Sequence, residues 1–162
     1  MFFALFYQEK TLIIGDSEAA HVCHFTSYVQ QRNEVISCEF KGGTTIQNWF
    51  GKRLDDALDK HPDADTVVIF LGTNNIGRKT TLDVSPLTDR LKGKKCIWVG
   101  PPAVNGYKWK FNQLLRDNVL KVSNCKYFNS EDVRLHLPDG YHPDGASNIL
   151  WLQEVWKFKN ER

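Results

Sequence analysis

The sequence predicts an α/β fold, a parallel sheet of about five strands with helices on both sides. Three observations predict it. Short apolar runs alternate with amphipathic stretches, as strand–helix–strand crossovers require. One run, Thr66–Leu71, is apolar throughout, as in a strand covered on both faces. Each run is followed by a Gly-rich or polar cluster, so all such clusters fall on one edge of the expected sheet.

The first strand is expected at Thr11–Gly15, a compact run closing on Gly. Glu34–Phe40 alternates and is rich in β-branched residues, which predicts the second. Thr66–Leu71, Lys95–Val99 and the shorter Cys125–Phe128 complete the set. Helices are expected between them. Ser17–Gln31 opens on a serine and an acid. Ile46–Lys60 repeats Phe50, Leu54, Ala57 and Leu58 at helical spacing. Ser85–Leu91 is short, and Tyr107–Val122 carries Phe111, Leu114, Leu115 and Val119. Pro143–Phe158 places Pro at a helix start, with Ile149, Leu152, Val155 and Trp156 on one face.

A chain of 162 residues suits one domain (1–162), with a core over about 11–158 and residues 1–10 as an N-terminal appendage. The net charge is +2 with both signs mixed along the chain, which argues against a nucleic-acid partner. No apolar run reaches the length of a membrane span, and Met1–Tyr7 is too short for a signal-peptide core. Cys23, Cys38, Cys96 and Cys125 form no CxxC pair and lie in or beside apolar runs. They read as buried free thiols of a soluble, cytoplasmic protein. The oligomeric state is left open. Some of the 20 aromatic side chains (five Trp, five Tyr, ten Phe) are expected to line a pocket.

The clusters on the sheet edge carry groups with chemical potential. Ser17 follows the first strand and begins a helix, where free N–H groups favour developing negative charge. Asp139 and His142, three residues apart around Gly140, are spaced for a carboxylate to orient an imidazole. Asn74 ends the third strand with a neutral donor, and Gly42 and Gly43 leave backbone N–H groups unobstructed. Each has a plainer role when read singly: a helix cap, a turn, a surface histidine. Together they supply the hydroxyl, base, orienting acid and oxyanion donors of serine-dependent ester hydrolysis.

In this order the blocks resemble the SGNH hydrolases, the GDSL-like esterases and lipases. Gly15-Asp16-Ser17 is similar to the first block, with Glu18 where Leu or Ile is usual. Gly42 matches the second-block glycine, with Gly43 as the fallback. Asn74 matches the third block, with Asn75 replacing a frequent Asp. Asp139 and His142 match the final Asp-x-x-His block, followed by Pro143. Gly100-Pro101-Pro102 and Phe111-Asn112-x-x-Leu115 are lesser similarities, and the likeness runs from about Thr11 to Trp156. It implies a three-layer α/β/α sandwich of flavodoxin-like type and a carboxylic ester hydrolase. Ser17 would be the nucleophile, His142 the base and then acid, and Asp139 its orienter. The Ser17 and Gly42 N–H groups and the Asn74 amide would form the oxyanion hole. No metal and no organic cofactor is implied. The G-x-S-x-G elbow of α/β-hydrolases is absent.

The substrate expected is a small-molecule or carbohydrate ester with a short acyl group such as acetyl, since the chain is short and carries no recognisable lid. Two other functions use the same residues: an acyltransferase, and a non-catalytic carbohydrate- or protein-binding module. His21, Cys23 and His24 lie close together but are too few for a zinc site. Trp109, between Lys108 and Lys110, is a candidate for the rim of the cleft.

Overall fold

The computed structural model describes residues 7–79, 81–104 and 110–161. Five strands, β1 (Glu9–Gly15), β2 (Glu34–Phe40), β3 (Thr66–Phe70), β4 (Lys95–Val99) and β5 (Lys126–Phe128), form one parallel sheet in the order β2-β1-β3-β4-β5. The α-helices are α1 (Ser17–Val22), α2 (Lys52–Lys60), α3 (Ser85–Thr88), α4 (Lys110–Val122) and α5 (Gly145–Lys159).

Because side chains alternate along a strand, each β-strand feeds two cores. On one face Leu12, Ile14, Val67, Ile69 and Trp98 pack with Leu54 of α2, Leu87 of α3 and Leu115 of α4. On the other, Ile13, Val68, Phe70 and Ile97 pack with Ala19 of α1 and Trp151, Leu152 and Val155 of α5. The result is the expected three-layer sandwich. Trp49, Trp98, Trp151 and Trp156, from the aromatic set considered for a pocket, are core residues, and each indole N–H donates to an oxygen.

The register brings the strand ends level. Gly15 lies opposite both Phe40 and Phe70, Phe70 opposite Val99, and Val99 opposite Phe128. The chain runs from β1 outward to β2, then crosses back to β3 on the other side of β1. That reversal is the switch point where ligands of open parallel sheets bind. At the opposite end of the sheet, the fully buried Lys159 bridges Glu9 at 3.1 Å and Glu34 at 3.0 Å.

The expected helices are shortened. Ser17–Gln31 is α1 followed by a 3₁₀ turn over Cys23–Tyr28, where Thr26 and the aromatic residues are weak helix formers. Ile46–Lys60 breaks at Gly51, whose φ of 83° is incompatible with a helix. Pro143 precedes α5 without opening it: Asp144 is the cap and accepts from the Ser147 N–H at 2.8 Å. Glu9 and Lys10 belong to β1, so the proposed appendage overlaps the sheet, while residues 1–6 lie outside the described residues.

The cysteines require a correction. All four are paired, Cys23 with Cys38 and Cys96 with Cys125. The partners are 15 and 29 residues apart, and folding brings them together where no local motif announces it. Free thiols were the argument for a reducing compartment, and that argument falls away, since disulfides persist in oxidising ones. Among the described residues no helix is long and apolar enough to cross a membrane.

Candidate active site

Gly15 makes the turn from β1 into α1 possible. A Cβ there would collide with the Phe70 carbonyl and the Ala19 Cβ. Asp16, fully buried, caps α1 by accepting from the Glu18 N–H at 2.9 Å. The cap is therefore Asp16, which leaves the Ser17 hydroxyl unengaged by its own helix. Ser17 Oγ lies 2.9 Å from His142 Nε2, across 125 positions of sequence.

The other ring nitrogen, Nδ1, lies 2.7 Å from Asp139 Oδ2. Asp139 Oδ1 accepts from the backbone N–H groups of His142 at 2.7 Å and Tyr141 at 2.8 Å. Gly140, at φ 83°, lets the chain fold back tightly enough for these bonds. The His142 side chain, then the His142 and Tyr141 N–H groups, hold the Asp139 carboxyl well below the usual carboxylate range. A charged Asp139 retains the imidazole proton on Nδ1 and presents the Nε2 lone pair to the serine hydroxyl.

Donors converge from two further strand ends. Asn74, in the turn after β3, donates Nδ2 to the Thr44 carbonyl at 2.9 Å and lies 3.4 Å from Asp16 Oδ2. Its amide thus ties the loop after β2 to the start of α1. Asn75, buried, accepts from the Ile46 N–H at 2.9 Å and donates to Gln47 Oε1 at 2.7 Å, pinning the same loop. Gly42 and Gly43 form an open turn where an added Cβ would meet nothing. The N–H groups of Ser17 and Gly42 have no acceptor among the described residues. Asn112 of α4 donates to the Pro101 carbonyl at 2.9 Å, fastening the loop after β4.

Three neighbours of Ser17 were not singled out as site residues from the sequence. Burial pushes the Asp16 carboxyl up to about 7, against the opposing Glu18 N–H bond. Glu18 is buried, neither carboxyl oxygen has a hydrogen-bond partner among the described residues, and the side chain borders a narrow crevice lined by Phe70, Thr73, Gly100 and Trp151. Burial first, then the Asp16 and Asp139 charges, raise its pKa well above 4.5. Its departure from the usual Leu or Ile was the available clue. His21 packs its ring on His142.

Cys23 is tied to Cys38, which removes it from any metal set with His21 and His24. Among the described residues no cluster of three metal-ligating side chains occurs. Trp109 and Lys108 lie outside the described residues. The larger hollows, about 230 and 410 Å³, do not include Ser17, Asp139 or His142.

No protein-family model and no curated protein matches the chain by sequence. Solved structures match closely in backbone. The structure of TesA superposes with a TM-score of 0.76 at 20% identity, covering 94% of this chain and 98% of that one. Axe2, an acetylxylan esterase from Geobacillus stearothermophilus, gives 0.70 at 15% identity and 95% coverage of both chains. The psychrotrophic esterase EstA from Pseudoalteromonas sp., in a structure inhibited by monoethylphosphonate, gives 0.70 at 18% identity, covering 93% of this chain and 96% of that one.

The chain has the fold of the SGNH hydrolases. The three-layer SGNH-hydrolase sandwich expected from the motif order is therefore the observed architecture, with Ser17 at the first position of α1, Asn74 in a 3₁₀ turn, and Gly42, Asp139 and His142 in loops or turns.

Proposed function

We propose that the chain is a serine esterase that hydrolyses a carboxylic ester through an acyl-enzyme, with a small acyl group such as acetyl on a carbohydrate as its substrate. The observation that carries this reading is the continuous relay Ser17 Oγ–His142 Nε2 at 2.9 Å and His142 Nδ1–Asp139 Oδ2 at 2.7 Å. It joins the start of the chain to its end over the switch point of the sheet.

His142 Nε2 takes the Ser17 proton as Oγ attacks the ester carbonyl, and Asp139 stabilises the imidazolium. The tetrahedral oxyanion is received by the Ser17 and Gly42 N–H groups and by Asn74 Nδ2, whose long contact to Asp16 is readily exchanged. His142 then protonates the departing alcohol. Water, deprotonated by the same nitrogen, attacks the acyl-enzyme and releases the acid. The preference for a short acyl group rests on the size of the chain, and the acetylxylan esterase among its structural neighbours agrees with it.

The test is a p-nitrophenyl ester series of increasing acyl length beside a panel of O-acetylated sugars, run with the native chain and Ser17→Ala in parallel. Native activity is expected to peak at short acyl groups, and Ser17→Ala to lose on the order of 10⁶-fold in turnover. A serine-directed phosphonate should label Ser17 alone. Equal activity in Ser17→Ala would overturn the esterase reading, and an optimum at eight carbons or more would overturn the acetyl preference.

A further inference from the structure

His21 stands one helical turn after Ser17, on the same side of α1. Its imidazole lies against that of His142, with ring centroids 4.7 Å apart and planes inclined by 37°. The hydrogen bonds of His142 to Ser17 and Asp139 engage its two ring nitrogens, and the tilted His21 ring adds a third contact on the same imidazole.

We propose that His21 is a positioning residue for His142: its ring fixes the imidazole plane in which Nδ1 meets Asp139 and Nε2 meets Ser17. This inference rests on the esterase reading above for its kinetic consequences, though not for the ring contact itself. Among the described residues the His21 side chain makes no hydrogen bond, so it acts only through the base.

The charge of His21 matters to that role. Its pKa is lowered, by burial first, then by His142 and by His24 further along the same segment. Asp139, in the loop before α5, opposes them. At neutral pH His21 is therefore uncharged and offers an aromatic face to the imidazolium that forms during catalysis. When His21 is protonated in acid, two like charges lie side by side, and the imidazolium of His142 is disfavoured.

The experiment compares His21→Phe and His21→Ala with the native chain across a pH profile. Phe keeps the ring and removes the proton, so its rate at pH 7.5 should stay within about twofold of native. Ala should lose about two- to tenfold, mainly in kcat, as the ring support disappears. In the acid limb His21→Phe should lack the component due to protonation of His21. Identical profiles for all three proteins would overturn the inference, as would equal losses in Phe and Ala. A readout independent of turnover uses histidine-labelled protein in NMR titration. Replacing His142 by Phe should move the His21 midpoint upward, because a charged neighbour is gone, and an unmoved midpoint would also overturn it. If the native chain cleaved no ester, the esterase reading would fail, and the NMR result alone would judge the pairing.

Discussion

Glu18→Leu should stabilise the protein, and by more as the pH rises. In the native chain the Glu18 carboxyl is buried with neither oxygen hydrogen-bonded among the described residues. Burying such a group uncompensated costs about 1–3 kcal/mol even when it is neutral. Leu has a similar volume and removes that cost, so a gain of about 1–3 kcal/mol is expected near pH 5, or roughly 2–12 °C in Tm for a domain of this size. The pH dependence follows from linkage. The folded pKa lies above the ordinary 4.5, so the folded state holds a proton that the unfolded chain releases. Native stability from this group is complete below pH 4.5 and is lost as pH rises towards the raised folded value. The gap to Glu18→Leu should therefore widen by about 1.4 kcal/mol per pH unit above 4.5 until the buried group ionises. Asp16, raised from 3.8 to about 7, gives a decline of the same sign in both proteins and largely cancels from their difference. Urea denaturation followed by tryptophan fluorescence at pH 5 to 8, at fixed ionic strength with disulfides intact, measures the gap. A variant no more stable than native, or a gap that does not grow with pH, would refute the reasoning.

Asn74→Ala should fold and lose roughly a hundred- to a thousandfold in turnover on an activated ester, the cost of one oxyanion donor; unchanged turnover would leave Asn74 only its tie to Thr44. Reducing the two disulfides should lower stability by about 3–4 kcal/mol each, from loop closures of 15 and 29 residues. Calorimetry with and without reductant reads that loss, and an unchanged Tm would show that neither bridge constrains the unfolded chain. Lys159→Met should destabilise by about 3–5 kcal/mol, because it strands the buried Glu34 carboxylate, whereas Lys159→Met with Glu34→Gln should recover most of it. A single variant as stable as native, by chemical denaturation, would count against a buried ion pair there.

Much of the fold was legible because it is written in local periodicity. The apolar runs at Glu34–Phe40 and Lys95–Val99 became strands with those limits, since alternation and β-branching are properties of consecutive residues. Helix lengths were less legible. Gly51 at positive φ and the 3₁₀ turn after α1 depend on where the chain must go next as well as on propensity. The disulfides were misread for the same reason: Cys96 at the start of β4 meets Cys125 just before β5 only because those strands are adjacent.

At the site, residue types and order were available in one dimension. Ser17, Gly42, Asn74, Asp139 and His142 each stand where a strand has ended or a helix is about to begin, and a parallel sheet gathers such positions on one edge. What the sequence by itself determined is therefore which groups lie on that edge. Only the tertiary structure decided which of them touch, that Asp16 rather than Ser17 caps α1, that His21 packs on His142, and that the Glu18 carboxyl is buried. The physical reason is range. Periodicity and turn chemistry act over a few residues, whereas contact, burial and the pKa shifts they cause are set by register and packing between segments far apart in the chain.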